Sequence, residues 1–240
     1  GFFVIWKMSR RADNLPISFR HLHYKHEYIK EIFRGGTPSL TRQGLAAVST
    51  SVLNLAAGAY GDAAIAGMSI VSRISFLILS AVIGLGHGFQ PLCGFNYGAG
   101  LYSRVKQGYY FCLKVSCAFL VVGVAICYPF AYEIVRFFRD DLEVAVVGTA
   151  AFRWQMITYP LVAFITLSNM MMQTIGRSLS ANLVAAARNG ICFIPLIFLC
   201  SYLWGLTGLE CCQAFSDCCT FLVTLVLTIP IIRMMKTDAR

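Results

Sequence analysis

Charge is what this chain has least of. Asp, Glu, Lys and Arg make up 13% of its 240 residues, where a soluble domain carries about 25%. That shortage excludes a water-soluble globule, which would have too little polar side chain to cover its surface. Acid is scarcer than base, with 11 Asp and Glu against 20 Lys and Arg and a net charge of +9. On a soluble protein such an excess would point to nucleic acid. Here the basic residues fall mostly between apolar runs, where they set orientation in a bilayer, so no nucleic-acid partner is expected. Catalytic signatures are missing as well. There is no HExxH, no Walker Lys and no Ser/His/Asp set. The glycine series Gly84, Gly86 and Gly88 lacks the strand–turn–helix setting of a phosphate loop. No enzyme activity and no cofactor are expected. Ten cysteines show no spaced framework. Cys211-Cys212 and Cys218-Cys219 lie in or beside an apolar run and read as small apolar residues, so no metal site is expected.

What is present is grease: 58% hydrophobic residues and a mean hydropathy of +0.67. The stretch from Leu79 to Gly100 is the clearest piece. An apolar run ends in Gly84, Gly86 and Gly88, then Gln90 and Pro91, then Phe95 to Gly100. Small residues let helices approach closely in lipid, and Pro bends or ends a helix there. This stretch therefore reads as a tightly packed helix that leaves the membrane at a polar elbow.

A span needs about 20 apolar residues, and six can be counted. They run from about Ser39 to Tyr60, Ala63 to Pro91, Tyr109 to Ala131, Val144 to Thr174, Ala181 to Trp204 and Gly208 to Ile232. The first opens at Thr37-Pro38, since Pro suits a first helical turn. The fourth bends at Pro160. Before them, residues 7–34 form a basic linker with Lys7, Arg10, Arg11, Arg20, Lys25, Lys30 and Arg34. His21, His23 and His26 in that linker read as part of a solvated loop and not as a ligand set. Gly1 to Trp6 reads as the last turns of a preceding helix, so the chain is expected to be the C-terminal part of a longer protein.

Orientation follows from the loops. The linker, Arg104 and Lys106 after the second span, Arg177 after the fourth, and Arg233, Lys236 and Arg240 at the tail all fall on one side. By the positive-inside rule that side, with linker and C-terminus, is cytoplasmic. The opposite loops carry little positive excess: Gly61-Asp62, the segment from Glu133 to Glu143, and Trp204 to Glu210.

Charges inside spans tend to face a cavity or a partner, because lipid penalises them. Arg42 and Lys114 lie a turn or so from a membrane surface and can snorkel. Arg73, Arg153, Arg188 and Asp217 go deeper. Counted from the outer turns, Arg188 lies deeper than Asp217 by roughly 10 Å, whereas Arg153 matches its depth. The expectation is that Asp217 and Arg153 meet or share a water-filled polar patch; the alternative is that both face the bundle only to hold helices together. An Arg neighbour lowers a carboxylate pKa, which makes Asp217 a poor proton carrier. Asn54, Asn169 and Gln173 either hydrogen-bond across helices or line a cavity. Of Met170, Met171 and Met172, one or two at most can face a cavity, and core packing is the expected use.

Several pieces, in order and spacing, resemble a known family. They are Gly36 to Gly44 (GTPSLTRQG), Tyr60 to Ala66 (YGDAAIA), Met68 to Ile74 (MSIVSRI) and Gly88 to Ala99 (GFQPLCGFNYGA). Further on come Phe137 to Asp141 (FFRDD), Ser168 to Met170, Gln173 to Gly176 and Phe193 to Leu196. Together they resemble the C-terminal lobe of the MATE multidrug efflux transporters, closest to the MepA-like branch. The resemblance implies an all-α polytopic membrane protein whose six-helix bundle is one lobe of a twelve-helix fold. It divides the chain into 1–6 (end of a truncated helix), 7–34 (inter-lobe linker), 35–234 (the lobe) and 235–240 (cytoplasmic tail). It implies export of cationic or amphipathic drugs in exchange for H+ or Na+, multi-pass in the plasma (inner) membrane, with the missing N-terminal six-helix lobe as partner. Some branches carry acidic residues in the first and fourth helices of this lobe. Here the first has Arg42 and Gln43 but no acid, and the fourth has none after Glu143, so those coupling sites do not transfer. The alternative is a lipid-linked glycan flippase of the same superfamily, which a basic cavity built from Arg42, Arg73, Arg153 and Arg188 would suit.

Overall fold

The computed structural model describes residues 26–235. The Gly1 to Trp6 stub, residues 7–25 of the expected linker with His21 and His23, and the tail from Lys236 lie outside the described residues. Contacts divide the chain between Gly35 and Gly36. Of the first unit only the opening turns of the first helix are described; the bundle belongs to the second, described over residues 36–235.

Among the described residues there is no strand. The helices are α1 (His26–Gly58), α2 (Asp62–Gly98), α3 (Tyr102–Cys127), the short α4 (Ala131–Phe138), α5 (Leu142–Thr174), α6 (Ser178–Ala186), a π-helical turn (Ala187–Ile191) and α7 (Phe193–Met234). Non-helical torsions at Gly205 (φ 58, ψ −133) fold α7 into two arms. The fold is an all-α membrane bundle of six rods: α1, α2, α3, α5, the run from Ser178 to the Gly205 fold, and the arm beyond it.

Two expected boundaries move. α1 begins at His26, twelve residues before Pro38, inside the stretch expected to be linker. Glu27 and Lys30 fall at helix-supporting i,i+3 spacing, and an internal Pro is tolerated in membrane helices. α2 likewise continues through Pro91 to Gly98, so its elbow is Ala99-Gly100, with Gly100 at φ 77. The segment from Glu133 to Glu143, expected as a loop, opens with α4. Its Val135 is fully buried against the bundle.

α5 is the axis. It packs against α2, α3, α4, α6 and α7 and is buried along most of its length. Among the described residues three helical runs are long and apolar enough to cross a membrane: α2, α3 and the stretch Ser178–Met234, which Gly205 folds in two. α5 falls short because, surrounded by protein, it need not present grease to lipid. The outward faces show the reverse pattern: Phe111, Phe119 and Ile126 on α3 and Leu222 and Val226 on α7 are exposed. Such a surface has no place in water.

The core has two layers. One holds Met68, Phe152, Tyr159, Ile197 and Leu209, towards the Gly61 and Gly205 turns. The other holds Phe89, Tyr109, Leu167, Met172 and Ile231, towards the opposite end. Close backbone approach joins α2 to α5, since a Cβ on Gly67 would meet the Gly148 nitrogen at 3.2 Å.

Candidate functional site: a buried polar network

Asp217 lies on the second arm of α7 and is 1% exposed. A carboxylate so placed needs partners, because burying an unpaired charge is prohibitive. It has three. Arg188 donates from Nε to Oδ1 at 3.1 Å, Gln213 donates from Nε2 to Oδ1 at 3.3 Å, and Thr158 donates from Oγ1 to Oδ2 at 3.4 Å.

The expected Asp217–Arg153 pairing is therefore wrong. Arg153 is exposed, and its guanidinium carbon sits 5.4 Å from the centre of the Tyr128 ring. The depth count failed at the hairpin. With the fold at Gly205, Arg188 is seventeen residues before it and Asp217 twelve after it. The five-residue offset is about 7.5 Å of helix, which an Arg side chain spans. Contacts confirm that the arms run antiparallel: the backbone at Gly208 abuts the Cys200 carbonyl, and further along Ser216 donates to the Arg188 carbonyl at 3.3 Å.

The π turn positions Arg188. Such turns insert a residue into a helix and release carbonyls from the ladder. Here the released groups are taken up from neighbouring helices. Ser216 bonds the Arg188 carbonyl, and Ser49 of α1 bonds the Asn189 carbonyl. Asn189 itself donates to the Arg42 carbonyl at 3.4 Å. On the other side the network runs into α5 and α2. Tyr159 donates to Ser75 at 2.9 Å, Ser75 to the Gln155 side chain, and Thr158 also contacts the Gln155 carbonyl at 3.0 Å. Five elements thus share one polar seam. The Arg188 side chain remains 26% exposed, so the seam reaches the lobe surface at this residue.

Of the candidate residues, only Arg188 and Asp217 come together. Arg73 is exposed on α2 and Asn54 half-buried on α1. Asn169 donates to the Ala181 carbonyl at 2.6 Å, tying α5 to α6 in the other core layer. Gln173 is half-buried near the end of α5. Met170, Met171 and Met172 are all buried, which settles their use as core. Sequence reasoning passed over Gln155, Thr158, Tyr159, Ser75 and Gln213. The signal was there: polar side chains at i, i+3, i+4 inside apolar spans, with Gln213 one turn before Asp217. Among the described residues no group of His, Cys, Asp and Glu could hold a metal ion.

The MatE family model matches residues 38–199. The multidrug export protein MepA of Staphylococcus haemolyticus is 29% identical over 212 residues, which is 87% of this chain and 46% of that protein. The chain spans about half the length of the curated relatives it matches. Solved structures share the fold. A MOP superfamily transporter from Pyrococcus furiosus superposes with a TM-score of 0.87 at 19% identity, over 98% of this chain and 53% of the other. The Vibrio cholerae MATE transporter VcmN in its bent form gives 0.81 at 18% identity, over 91% and 50%.

Proposed function

This chain belongs to the MatE family, and on that premise we propose that it is one lobe of a secondary active multidrug exporter. The lobe supplies half of a central cavity, and a second six-helix lobe supplies the rest. Cationic or amphipathic compounds leave in exchange for H+ or Na+ across the plasma (inner) membrane, with the Arg104, Arg177 and Arg233 end in the cytoplasm. The observation that carries this reading is the similarity to MepA along 87% of the chain. The geometry supports it in one further respect. In repeat-built carriers one bundle rocks against the other around a central site, which needs each lobe to move as a body. A seam tying α1, α2, α5, the π turn and the second arm of α7 suits that demand.

The flippase alternative loses its footing. It leaned on four arginines at depth, Arg42, Arg73, Arg153 and Arg188, lining a basic cavity, but Asp217 neutralises Arg188, and Arg153 lies on Tyr128. The test is ethidium accumulation in efflux-deficient bacteria expressing the full-length protein that carries this lobe. Lowered accumulation that collapses with the ion gradient is expected. Unchanged accumulation together with rescue of a lipid-flipping defect would reverse the assignment.

A further inference from the structure

At one end of the bundle a cavity of about 60 Å³ opens between three chain segments. Tyr97 and Tyr102 border the α2–α3 turn, Ile175 and Arg177 the α5–α6 turn, and Ile231, Met234 and Met235 the end of α7. One water needs about 10–15 Å³ by the same measure, so the space admits a group of several heavy atoms. Its lining is mixed: Arg177 and the two tyrosines stand beside Ile175, Ile231, Met234 and Met235.

The charge around it is one-sided. Arg104, Lys106, Arg177 and Arg233 all fall at this end. Between residues 36 and 235 the carboxylates other than Asp217 sit towards the opposite end, on Asp62, Glu133, Asp140, Asp141, Glu143 and Glu210. Among the described residues Arg177 has no carboxylate partner, and its Nη2 contact is the Met234 sulfur at 3.9 Å. A thioether is a weak acceptor, so the guanidinium's fork of donors is unspent. The tyrosine rings pack edge to face at 5.4 Å, which fixes both beside the opening.

We propose that this cavity binds a phosphate ester anion, with Arg177 as its cation. An arginine fork matches phosphate geometry, and basic pockets between membrane helices take anionic head groups. The apolar part of the lining favours a membrane lipid over free phosphate, because a glycerol backbone and acyl chain would cover Ile175, Ile231 and Met234. The site stands apart from the polar seam, and its occupancy does not depend on transport.

The test is native mass spectrometry of the delipidated chain with phosphatidylglycerol, with phosphatidylcholine, and with inorganic phosphate as competitor. Phosphatidylglycerol is expected to be retained preferentially, and Arg177→Gln to weaken it about tenfold, the loss of one charge-assisted contact. Arg177→Lys should fall between, and Arg139→Gln at the far end should change nothing. Phosphatidylglycerol binding that inorganic phosphate leaves intact identifies the lipid as the source. Displacement by millimolar phosphate identifies the free anion and still supports the site. Equal retention of the two lipids, or an Arg177→Gln variant that binds like the parent, overturns the proposal.

Discussion

The ion pair between Arg188 and Asp217 is lopsided, and the lopsidedness predicts an ordering of variants. Asp217 is 1% exposed while Arg188 is 26% exposed. Arg188→Gln strands a carboxylate with only Gln213 and Thr158 for partners. Removing one member of a buried pair costs about 3–5 kcal/mol. Asp217→Asn keeps the shape and the bond from Gln213, and its amide nitrogen donates to Thr158 Oγ1 in place of accepting from it. It leaves the cation on the side that already reaches the lobe surface, at a cost of about 1–2 kcal/mol. The double variant removes both charges and should be more stable than Arg188→Gln alone by about 1–3 kcal/mol, a coupling within the range of contacting residues. The assay is reversible unfolding in mixed micelles with increasing SDS, followed by tryptophan fluorescence. A gap of about 1.4 kcal/mol is tenfold in the unfolding equilibrium and is well resolved. Two results would refute the reasoning: Asp217→Asn costing as much as Arg188→Gln, or the double variant falling below Arg188→Gln.

Three other variants probe separate links, with a fourth as control. Gly208→Ala places a Cβ on the Cys200 carbonyl, which is backbone and cannot swing aside; it should cost about 1–3 kcal/mol or more. Gly84→Ala, with nothing within 4 Å of its added Cβ, is the control and should be neutral or gain up to about 1 kcal/mol of helix propensity. Both are read by the same unfolding assay. Asn169→Ala loses the 2.6 Å bond to the Ala181 carbonyl and leaves that oxygen buried; a loss of about 1–3 kcal/mol is expected, with faster hydrogen exchange at the start of α6. Arg153→Gln should cost no more than about 1 kcal/mol, the value of an exposed cation–π contact. A larger loss in the same micelle titration would mean that Arg153 has a partner other than Tyr128.

The rods were legible because lipid imposes a simple rule: some twenty apolar residues between polar turns. Span four could be placed nearly to the residue, since Asp141 caps α5 by accepting from Glu143 and Val144 and the apolar run ends at Thr174. α1 was cut short because Pro38 was read as a helix start, although a proline inside a helix interrupts one hydrogen bond without ending the rod. α4 was hidden by length: eight residues are too few to register as a span, though buried Ala131 and Val135 lie on one face. The ion pair was missed for a different reason. Depth counting assumes uniform rise and a known turn, and this hairpin folds at Gly205, earlier than Gly208, with a π turn beneath Arg188. No periodicity in the sequence marks an inserted residue of that kind.

That inserted residue explains why the seam exists where it does. A regular helix from Ser178 through the first arm of α7 would hold its own carbonyls and give α1 nothing to bind. The π turn frees those of Arg188 and Asn189, and Ser216 and Ser49 take them up. Asp217 then anchors the side chain of the same turn. A defect in one helix is thus converted into cross-links to two elements, α1 and the second arm of α7, and Asp217 carries the link on to Thr158 of α5. Restoring regular helix by deleting one residue of the turn would rotate everything beyond it by about 100°. Phe193 and Ile197, buried in the core layer nearer Gly205, would leave their places, so the turn and the seam stand or fall together.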